Sequence, residues 1–340
     1  MSASMLLGLV IAVVVVALIF DFINGFHDTA NAIATVVSTG VLPLRTAIYL
    51  AAVFNFVGAF TGTAVASTIG KGIITSSTIT LVVVFSALIG AIFWNLFTWY
   101  YGIPSSSSHA MVGGLIGAGL AHSGAASIQG PGLTKIVTSL VISPLVGMLV
   151  AFSFMILLYW IFRRAAPVGV APLFRRLQML SAGFMALSHG SNDAQKTMGV
   201  ITMSLVAAGY MVMPDGGKLS VPTWVVLASA TAMGLGTAAG GVRIIKTLGT
   251  KIIDLKPIHG FAAETAAASV IFTASHFGLP VSTTHCISGS ILGVGASQSV
   301  SAVRWGITTR ILWAWVLTIP VSALSAYLMY WPASWVTGSN

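Results

Sequence analysis

The sequence predicts an all-α polytopic membrane protein with two inverted repeats, each containing spanning helices and one helical hairpin with a Ser/Thr-rich tip. Of its 340 residues, 56% are hydrophobic and only 6% are charged, whereas a soluble domain carries about 25% charged residues. Apolar stretches long enough to cross a bilayer recur along the chain. Motifs of the first half also return in the second half. Together these observations exclude a soluble globular domain.

The apolar stretches define the elements in chain order, since a membrane span needs about 20 apolar residues. The predicted spans cover residues 5–42, 46–69, 77–121, 133–162, 178–213, 222–242, 258–297 and 305–332. Polar residues interrupt the third span at 104–109 and the seventh at 280–285, which predicts one hairpin in each half. The first repeat is therefore residues 1–162, the second is 178–340, and residues 163–177 form a basic cytoplasmic linker.

The duplication is visible in two pairs of motifs. Gly-Ile-Pro-Ser-Ser-Ser-Ser-His at 102–109 matches Gly-Leu-Pro-Val-Ser-Thr-Thr-His at 278–285. Nearer the start of each half, Gly-Phe-His-Asp at 25–28 matches Gly-Ser-Asn-Asp at 190–193. Duplicated membrane proteins are commonly transporters whose repeats are inverted, which requires an odd number of net crossings in each half.

The positions of the basic residues predict the orientation. If each hairpin returns to its starting side, three net crossings remain in each half, and both termini lie outside. Apart from Lys196, which lies within a motif, eleven basic residues then face the cytoplasm and three face outside. This distribution follows the positive-inside rule. The formal net charge of +9 therefore reflects membrane orientation, and no nucleic-acid partner is expected.

Two of the six acidic residues are the strongest candidates for a functional site. Asp28 and Asp193 lie within long apolar stretches, at matching positions of the two repeats. An ionisable residue at membrane depth costs several kcal/mol and is a functional candidate by default. We expect this pair to hold coupling ions; capping of helix breaks is the alternative. The remaining acids are the secondary coupling-ion candidates Asp21 and Glu264 and the loop residues Asp215 and Asp254.

Polar side chains surround the two aspartates. Asn24, His27 and Asn31 are assigned to the coupling-ion site, where amide oxygens can bind a cation and His27 either relays a proton or donates a hydrogen bond. Asn192 and Lys196 are assigned to anion binding. Lys196 stands at the position of Asn31 and is costly there unless it pairs with the neighbouring aspartate or a bound anion; snorkelling to the interface is the alternative.

The hairpin tips predict an anion site. A run of hydroxyls at a helix start directs side-chain O–H groups and unpaired backbone N–H groups to one point, at the positive end of the helix dipole. Capping explains one hydroxyl per hairpin but not three or four. The predicted anion-binding residues of the two tips are Ser105, Ser106, Ser107, Ser108, Ser282, Thr283 and Thr284.

These motifs resemble the duplicated signatures of the inorganic phosphate transporter (PiT) family, over essentially the whole chain. The resemblance implies a symporter that imports inorganic phosphate across the cytoplasmic (inner) membrane with protons or sodium, forms a homodimer and uses no cofactor. Asp28 and Asp193 match the motif aspartates and are the candidate Na+ ligands. The hydroxyls that match the family's expected phosphate-binding tips are Ser105, Ser106, Ser107, Ser282, Thr283 and Thr284. His27 and Lys196 depart from the common pattern and are similar to the bacterial low-affinity permeases associated with protons or a metal–phosphate complex.

Two alternatives to phosphate symport remain open on the residues alone. A permease of the same fold for sulfate or another oxyanion is the nearer one, because a hydroxyl cradle recognises shape and charge. A membrane-embedded lipid phosphatase is the more distant one. Such an enzyme is expected to carry an Arg or a pair of carboxylates within its hydroxyl motif, and neither 104–109 nor 280–285 contains one. We therefore predict no catalytic residue and no enzymatic activity.

Overall fold

The computed structural model describes residues 3–73, 78–212 and 219–338. In these residues the chain forms twelve α-helices joined by short turns, which confirms the all-α fold class. The helices are α1 (Ala3–Ser38), α2 (Leu44–Gly58), α3 (Ala64–Gly72), α4 (Leu81–Tyr101), α5 (Ser107–Ser123), α6 (Gly130–Ile161), α7 (Pro167–Ala207), α8 (Thr223–Ala239), α9 (Val242–Thr250), α10 (Pro257–His276), α11 (Thr283–Gln298) and α12 (Trp305–Thr337). The predicted loop residue Asp215 lies outside the described residues, and Asp254 is exposed in a loop.

The outer surface of the molecule is apolar. Helices α1, α4, α6 and α12 are each long and apolar enough to cross a membrane, and α8 with α9 would make a fifth span bent by 72°. Large apolar side chains point away from the protein, including Leu149 (64% exposed), Leu180 (72%) and Trp313 (62%). A surface so rich in apolar groups is unfavourable in water and favourable among lipid tails. The chain is therefore a multi-pass membrane protein.

The helices follow the predicted spans, with three differences. The span predicted at 46–69 is broken around residues 59–63 into α2 and α3, and the span predicted at 222–242 continues as α9 after a break at Gly240. The segment predicted as a linker, 163–177, is helical from Pro167. Proline suits the first turn of a helix, because its φ angle is helical and the N–H group that it lacks would have no intrahelical partner there.

Helix packing repeats in the two halves. Helix α1 packs against α8 as α7 packs against α2, and α5 packs against α12 as α11 packs against α6. Likewise α1 contacts α9 while α7 contacts α3. The pattern is preserved when each helix of the first six is exchanged for its counterpart in the last six. This packing supports the duplication read from the sequence, and the inversion of the repeats stays a prediction.

Matching glycines bring the hairpins close to their neighbours. A Cβ added to Gly117 of α5 would lie 1.9 Å from the carbonyl oxygen of Ala323 in α12. A Cβ added to Gly293 of α11 would lie 2.1 Å from the carbonyl oxygen of Met148 in α6. Small residues allow helix backbones to approach closely in membranes, where packing rather than water exclusion drives association. The glycines therefore fix each hairpin against the last helix of the opposite half.

Each hairpin turns at a glycine held by a short helix of the other repeat. Gly102 and Gly278 have φ values of +65° and +66°, which glycine adopts without steric cost. Thr68 of α3 donates a hydrogen bond to the carbonyl oxygen of Gly278 (2.7 Å), and Thr247 of α9 donates to that of Gly102 (2.8 Å). These ties place both hairpin tips beside α1 and α7, the helices that carry Asp28 and Asp193.

Candidate functional site

One hydroxyl in each hairpin tip caps the helix that follows it. Ser106 Oγ accepts a hydrogen bond from the backbone N–H of His109 (3.2 Å), and Ser282 Oγ accepts one from the N–H of His285 (3.2 Å). Both residues are N-caps in extended conformation, one residue before α5 and α11. Capping thus accounts for one serine per tip. The hydroxyls that follow, Ser107, Ser108, Thr283 and Thr284, make contacts outside their own helix.

Asp28 receives hydroxyl groups from both hairpins. Its side chain is buried in α1. Ser107 Oγ of the first tip donates to Asp28 Oδ2 (3.2 Å), and Thr284 Oγ1 of the second tip donates to Oδ1 (3.3 Å). His27 Nδ1 lies 2.6 Å from the same Oδ1 atom. A single buried carboxylate therefore joins the two halves of the molecule.

Asp193 occupies the corresponding position in α7. Thr283 Oγ1, the counterpart of Ser107, donates to Asp193 Oδ2 (3.1 Å). Lys196 Nζ lies 2.5 Å from Oδ1, and His189 Nε2 lies 3.3 Å from Oδ2. The structure thus brings both predicted aspartates together with the hairpin tips, but gives each a different basic neighbour.

Lys196 is buried at 2% exposure and does not snorkel to the membrane interface. Besides Asp193, its ammonium group donates to Ser108 Oγ (2.5 Å) and to the carbonyl oxygen of Val281 (3.0 Å). The counterpart Asn31 uses its amide in the same way, donating to Thr284 Oγ1 at 2.9 Å. Each of these two residues therefore ties its helix to the hairpin of the other repeat, and Lys196 contacts both tips.

The two aspartates approach each other closely. One ligand atom each from Asp28, Asp193 and His189 all lie within 4.8 Å of one another. Carboxylates at such short range repel unless positive charge neutralises them, so this point is suited to a cation. His189 is not among the residues predicted from the sequence. Its position one helical turn before Asp193 is the signal that could have found it.

Helix α4 contributes two polar residues that the sequence did not single out. Asn95 Nδ2 donates to Ser107 Oγ (3.1 Å), and Thr98 Oγ1 lies 3.1 Å from His27 Nε2 and 2.7 Å from Ser105 Oγ. Ser105 therefore sits beside His27 rather than beside the aspartates. An amide within an otherwise apolar span is a recognisable signal, because such residues commonly bond across helices in membranes.

Asn192 orients the second hairpin tip. Its Nδ2 atom donates to Ser275 Oγ (2.8 Å), and its Oδ1 atom accepts from the backbone N–H of Val281 (3.4 Å). A polar cleft with a volume of about 110 Å³ lies beside it. The polar residues lining the cleft are Thr61, Ser191, Gln195, Ser275 and His276. The cleft lies next to the break between α2 and α3.

Glu264 forms a separate buried network. Thr35 of α1 and Ser181 of α7 donate short hydrogen bonds to its two carboxylate oxygens, and Gln178 Nε2 donates to Oε1 at 3.2 Å. All three partners are neutral and come from the helices that carry the aspartates. The assignment of Glu264 to the coupling-ion site stays a prediction.

Several buried oxygens near the aspartates have no donor. Among the described residues, the Oδ1 atoms of Asn24 and Asn31 lack hydrogen-bond partners, while the buried Asp21 carboxyl group interacts with Thr197 of α7. Asp21 interacts electrostatically with Asp193 and Lys196. Leaving a buried polar atom unpaired costs free energy. The two amide oxygens are therefore neutral groups on which a cation could bind.

Comparisons with known proteins agree with the motifs and the geometry. The model of the phosphate transporter family matches residues 24–326. A protein of Rhizobium meliloti (strain 1021), named "Probable low-affinity inorganic phosphate transporter", is 49% identical over 337 residues, covering 99% of this chain and 100% of that protein. A protein of Bacillus subtilis (strain 168) with the same name is 50% identical over 329 residues, covering 96% of this chain and 98% of that protein.

A solved structure supports the same assignment. The structure of a protein named "The sodium-dependent phosphate transporter" matches with a TM-score of 0.87 and 26% identity, covering 97% of this chain and 100% of that chain. These relatives are transporters, which confirms the expectation that the protein is not an enzyme. The resemblance seen in the four motifs is confirmed as well, and the chain belongs to the phosphate transporter family.

Proposed function

We propose that the protein is a secondary active symporter that imports inorganic phosphate across the cytoplasmic membrane together with protons or sodium. The observation that carries the proposal is the convergence of both hairpin tips on Asp28 and Asp193. Carboxylates bind cations, while hydroxyls at helix N-termini bind anions. The relatives support phosphate as the substrate. The likeness to a sodium-dependent phosphate transporter supports sodium as one candidate ion.

The tip hydroxyls give a reason why cation and phosphate bind together. In the described arrangement Ser107 and Thr284 donate to Asp28, and Thr283 donates to Asp193. A cation bound at the carboxylates neutralises their negative charge, and the hydroxyls are then free to turn toward an anion. It also removes the repulsion between carboxylate and phosphate. Phosphate, as HPO4²⁻ or H2PO4⁻, then binds between the N-termini of α5 and α11 near the membrane centre.

Coupling to a cation is also required by the membrane potential. Moving one negative charge into a cell that is negative inside costs about 2.3 kcal/mol per 100 mV. Phosphate alone would therefore be driven outward at equal concentrations. If the carboxylates must bind cations before phosphate binds, phosphate uptake depends on the gradient of those cations. This dependence is symport.

The two sides of the site differ in a way that fits alternating access. Next to α3, a polar cleft of about 110 Å³ lies beside Asn192. Next to α9, the Arg243 guanidinium donates to the carbonyl oxygen of Tyr100 (2.5 Å) and lies 5.4 Å over the ring of Trp99. We infer that phosphate enters from the α3 side in this state and leaves from the α9 side in the other, as the repeats move against each other.

Orientation and assembly complete the proposal. By the positive-inside rule both termini lie outside and the segment 163–177 lies in the cytoplasm; the homodimer is the assembly that the family resemblance implies. An impermeant thiol reagent should label Ala126→Cys from outside and Ala165→Cys only after the membrane is opened. The native Cys286 is buried and should not react. Labelling of Ala165→Cys, but not of Ala126→Cys, in sealed membranes would contradict the orientation.

The homodimer is tested by chemical cross-linking of the purified protein. Absence of a dimer-sized product at every protein concentration would contradict the dimer.

The direct test of symport is uptake of labelled phosphate into proteoliposomes that contain the purified protein. An inward gradient of protons or of sodium should drive accumulation above the equilibrium level, and collapse of that gradient by an ionophore should abolish it. The two gradients are imposed separately, so the experiment also identifies the coupling ion. Equal uptake with and without either gradient would contradict symport.

A second candidate is transport of another oxyanion by the same site. The observation that favours it is the cradle itself, which is built from hydroxyls and helix ends rather than from groups selective for phosphorus. A large excess of unlabelled sulfate should leave uptake of labelled phosphate unchanged. Competition by sulfate would favour a general oxyanion permease. The substrate could also be a metal–phosphate complex, as in the bacterial permeases that the sequence resembles. In that case phosphate uptake requires an added divalent cation.

A further inference from the structure

Lys196 occupies a cradle of oxygen atoms in the second repeat. Its ammonium group lies 2.5 Å from Asp193 Oδ1, 2.5 Å from Ser108 Oγ and 3.0 Å from the carbonyl oxygen of Val281. A carboxylate, a hydroxyl and a backbone carbonyl are the ligand types that alkali and alkaline-earth cations take in proteins. An ammonium group has three N–H donors and no acceptor, so the three oxygens satisfy it completely.

The corresponding position of the first repeat, Asn31, carries no fixed charge. Asn31, at the position of Lys196, donates its amide to Thr284, the counterpart of Ser108. Its Oδ1 atom has no hydrogen-bond partner among the described residues and is buried near Asp28. On this side a neutral oxygen is therefore available where the other side carries an ammonium group.

From this difference we propose that the Lys196 ammonium is a built-in replacement for one coupling cation at Asp193. The protein then carries one cation fewer per phosphate than the same chain with a neutral residue at position 196. This inference rests on the proposed symport function and concerns its stoichiometry. The exchangeable cation binds on the Asp28 side, where the Oδ1 atoms of Asn24 and Asn31 have no hydrogen-bond donor among the described residues.

The charges near the two sites support this assignment. Asp28, Asp193 and Asp21 are the buried carboxyl groups of the cluster, and the Lys196 ammonium group contacts Asp193. His27 and His189 lie beside one aspartate each and add positive charge only when protonated. Because an unpaired buried carboxylate is strongly unfavourable, removal of the ammonium group obliges Asp193 to take up a cation from solution.

The same contacts argue against Lys196 as the main ligand of phosphate. Its three donors are already directed at Asp193, Ser108 and Val281. Contact with phosphate would require at least one of these bonds to break. The tip hydroxyls Thr283 and Thr284, by contrast, can rotate away from the aspartates without leaving a charge unpaired.

The experiment measures how the accumulation of phosphate at equilibrium depends on the cation gradient. In proteoliposomes at fixed membrane potential, the exponent that relates the phosphate ratio to the cation ratio is the number of cations per phosphate. Lys196→Asn is expected to raise this exponent by one, so that a tenfold cation gradient sustains about tenfold more phosphate than with the wild type. Sodium and proton gradients are tested in separate arms, and the increase is expected in at least one.

Two matched variants act as controls. Lys196→Arg keeps the charge and should keep the wild-type exponent. Asn31→Lys places a fixed charge in the other repeat and should lower the exponent by one. If Lys196→Asn binds phosphate but no longer transports it, the number of coupling ions bound per chain in detergent decides, counted as radioactive sodium or as protons according to which gradient drives the wild type. One more ion than in the wild type supports the proposal, and the same number contradicts it.

The outcomes separate the two levels of the proposal. Gradient-driven uptake by the wild type with identical exponents for wild type and Lys196→Asn would overturn the role of Lys196 and leave symport intact. Absence of gradient-driven uptake by the wild type would overturn symport itself. A higher exponent in the variant, restored to the wild-type exponent by Lys196→Arg, is the result that the structure predicts.

Discussion

At the scale of residues, adjacent hydroxyls in one motif have different roles. Ser106 is an N-cap, while its neighbour Ser107 donates to Asp28. The same division holds for Ser282 and Thr283 in the second hairpin. The sequence predicts that the run is functional because capping needs only one hydroxyl. It does not predict which hydroxyl is the cap, since that depends on where the helix begins.

Alanine substitutions at these two serines should therefore affect different properties, stability in one case and phosphate binding in the other. Ser106→Ala loses a helix cap and should destabilise the protein by about 1 kcal/mol, seen as a lower melting temperature in detergent, with phosphate affinity nearly unchanged. Ser107→Ala removes a donor to a charged group, which is worth about 1.5–3 kcal/mol, and should weaken phosphate binding roughly tenfold or more. Equal losses of affinity in the two variants would contradict the division of roles.

How far the site could be predicted also becomes clear at this scale. Asp28 and Asp193 are predictable because the duplication marks them as equivalent and because charges at membrane depth are rare. Asn95 and Thr98 were missed, because a polar residue in an apolar span indicates a bond to another helix but does not indicate which residue it contacts. The contact between Thr284 and Asp28 joins opposite halves of the chain. No spacing within one half encodes it, so it required the tertiary structure.

At the scale of elements, hydropathy predicted the spans but not their interruptions. The breaks between α2 and α3 and between α8 and α9 lie inside apolar stretches, where the hydropathy pattern gives no signal. These breaks matter because α3 and α9 hold the turns of the two hairpins through Thr68 and Thr247. The break between α8 and α9 lies at Gly240, whose φ of +72° does not continue a helix, and hydropathy does not report this kind of signal.

The packing of the hairpins depends on glycine at matched positions, which gives a second prediction. Gly117→Ala would place a methyl group 1.9 Å from the carbonyl oxygen of Ala323, and such overpacking costs about 1–3 kcal/mol. The melting temperature in detergent should fall. Gly306→Ala is the control, because nothing lies within 4 Å of the added carbon. A variant at Gly117 as stable as the one at Gly306 would contradict the close approach of α5 and α12.

At the scale of the whole molecule, a nearly symmetric framework carries an asymmetric site. The helix packing of one half repeats in the other, but the basic partner is His27 for Asp28 and Lys196 for Asp193. The polar cleft on the α3 side likewise contrasts with the Arg243 contacts on the α9 side. The framework supplies two equivalent hairpins, and in the proposed symport the asymmetry determines which ions accompany phosphate.

The central claim is that Asp28 and Asp193 couple cation binding to phosphate movement. It is tested most directly by labelled phosphate uptake into proteoliposomes containing Asp28→Asn or Asp193→Asn, with the coupling gradient imposed and with melting temperature as the control for folding. Each folded variant should lose gradient-driven accumulation, because an amide cannot supply the negative charge that binds the cation. Accumulation at the wild-type level by both variants would contradict the account.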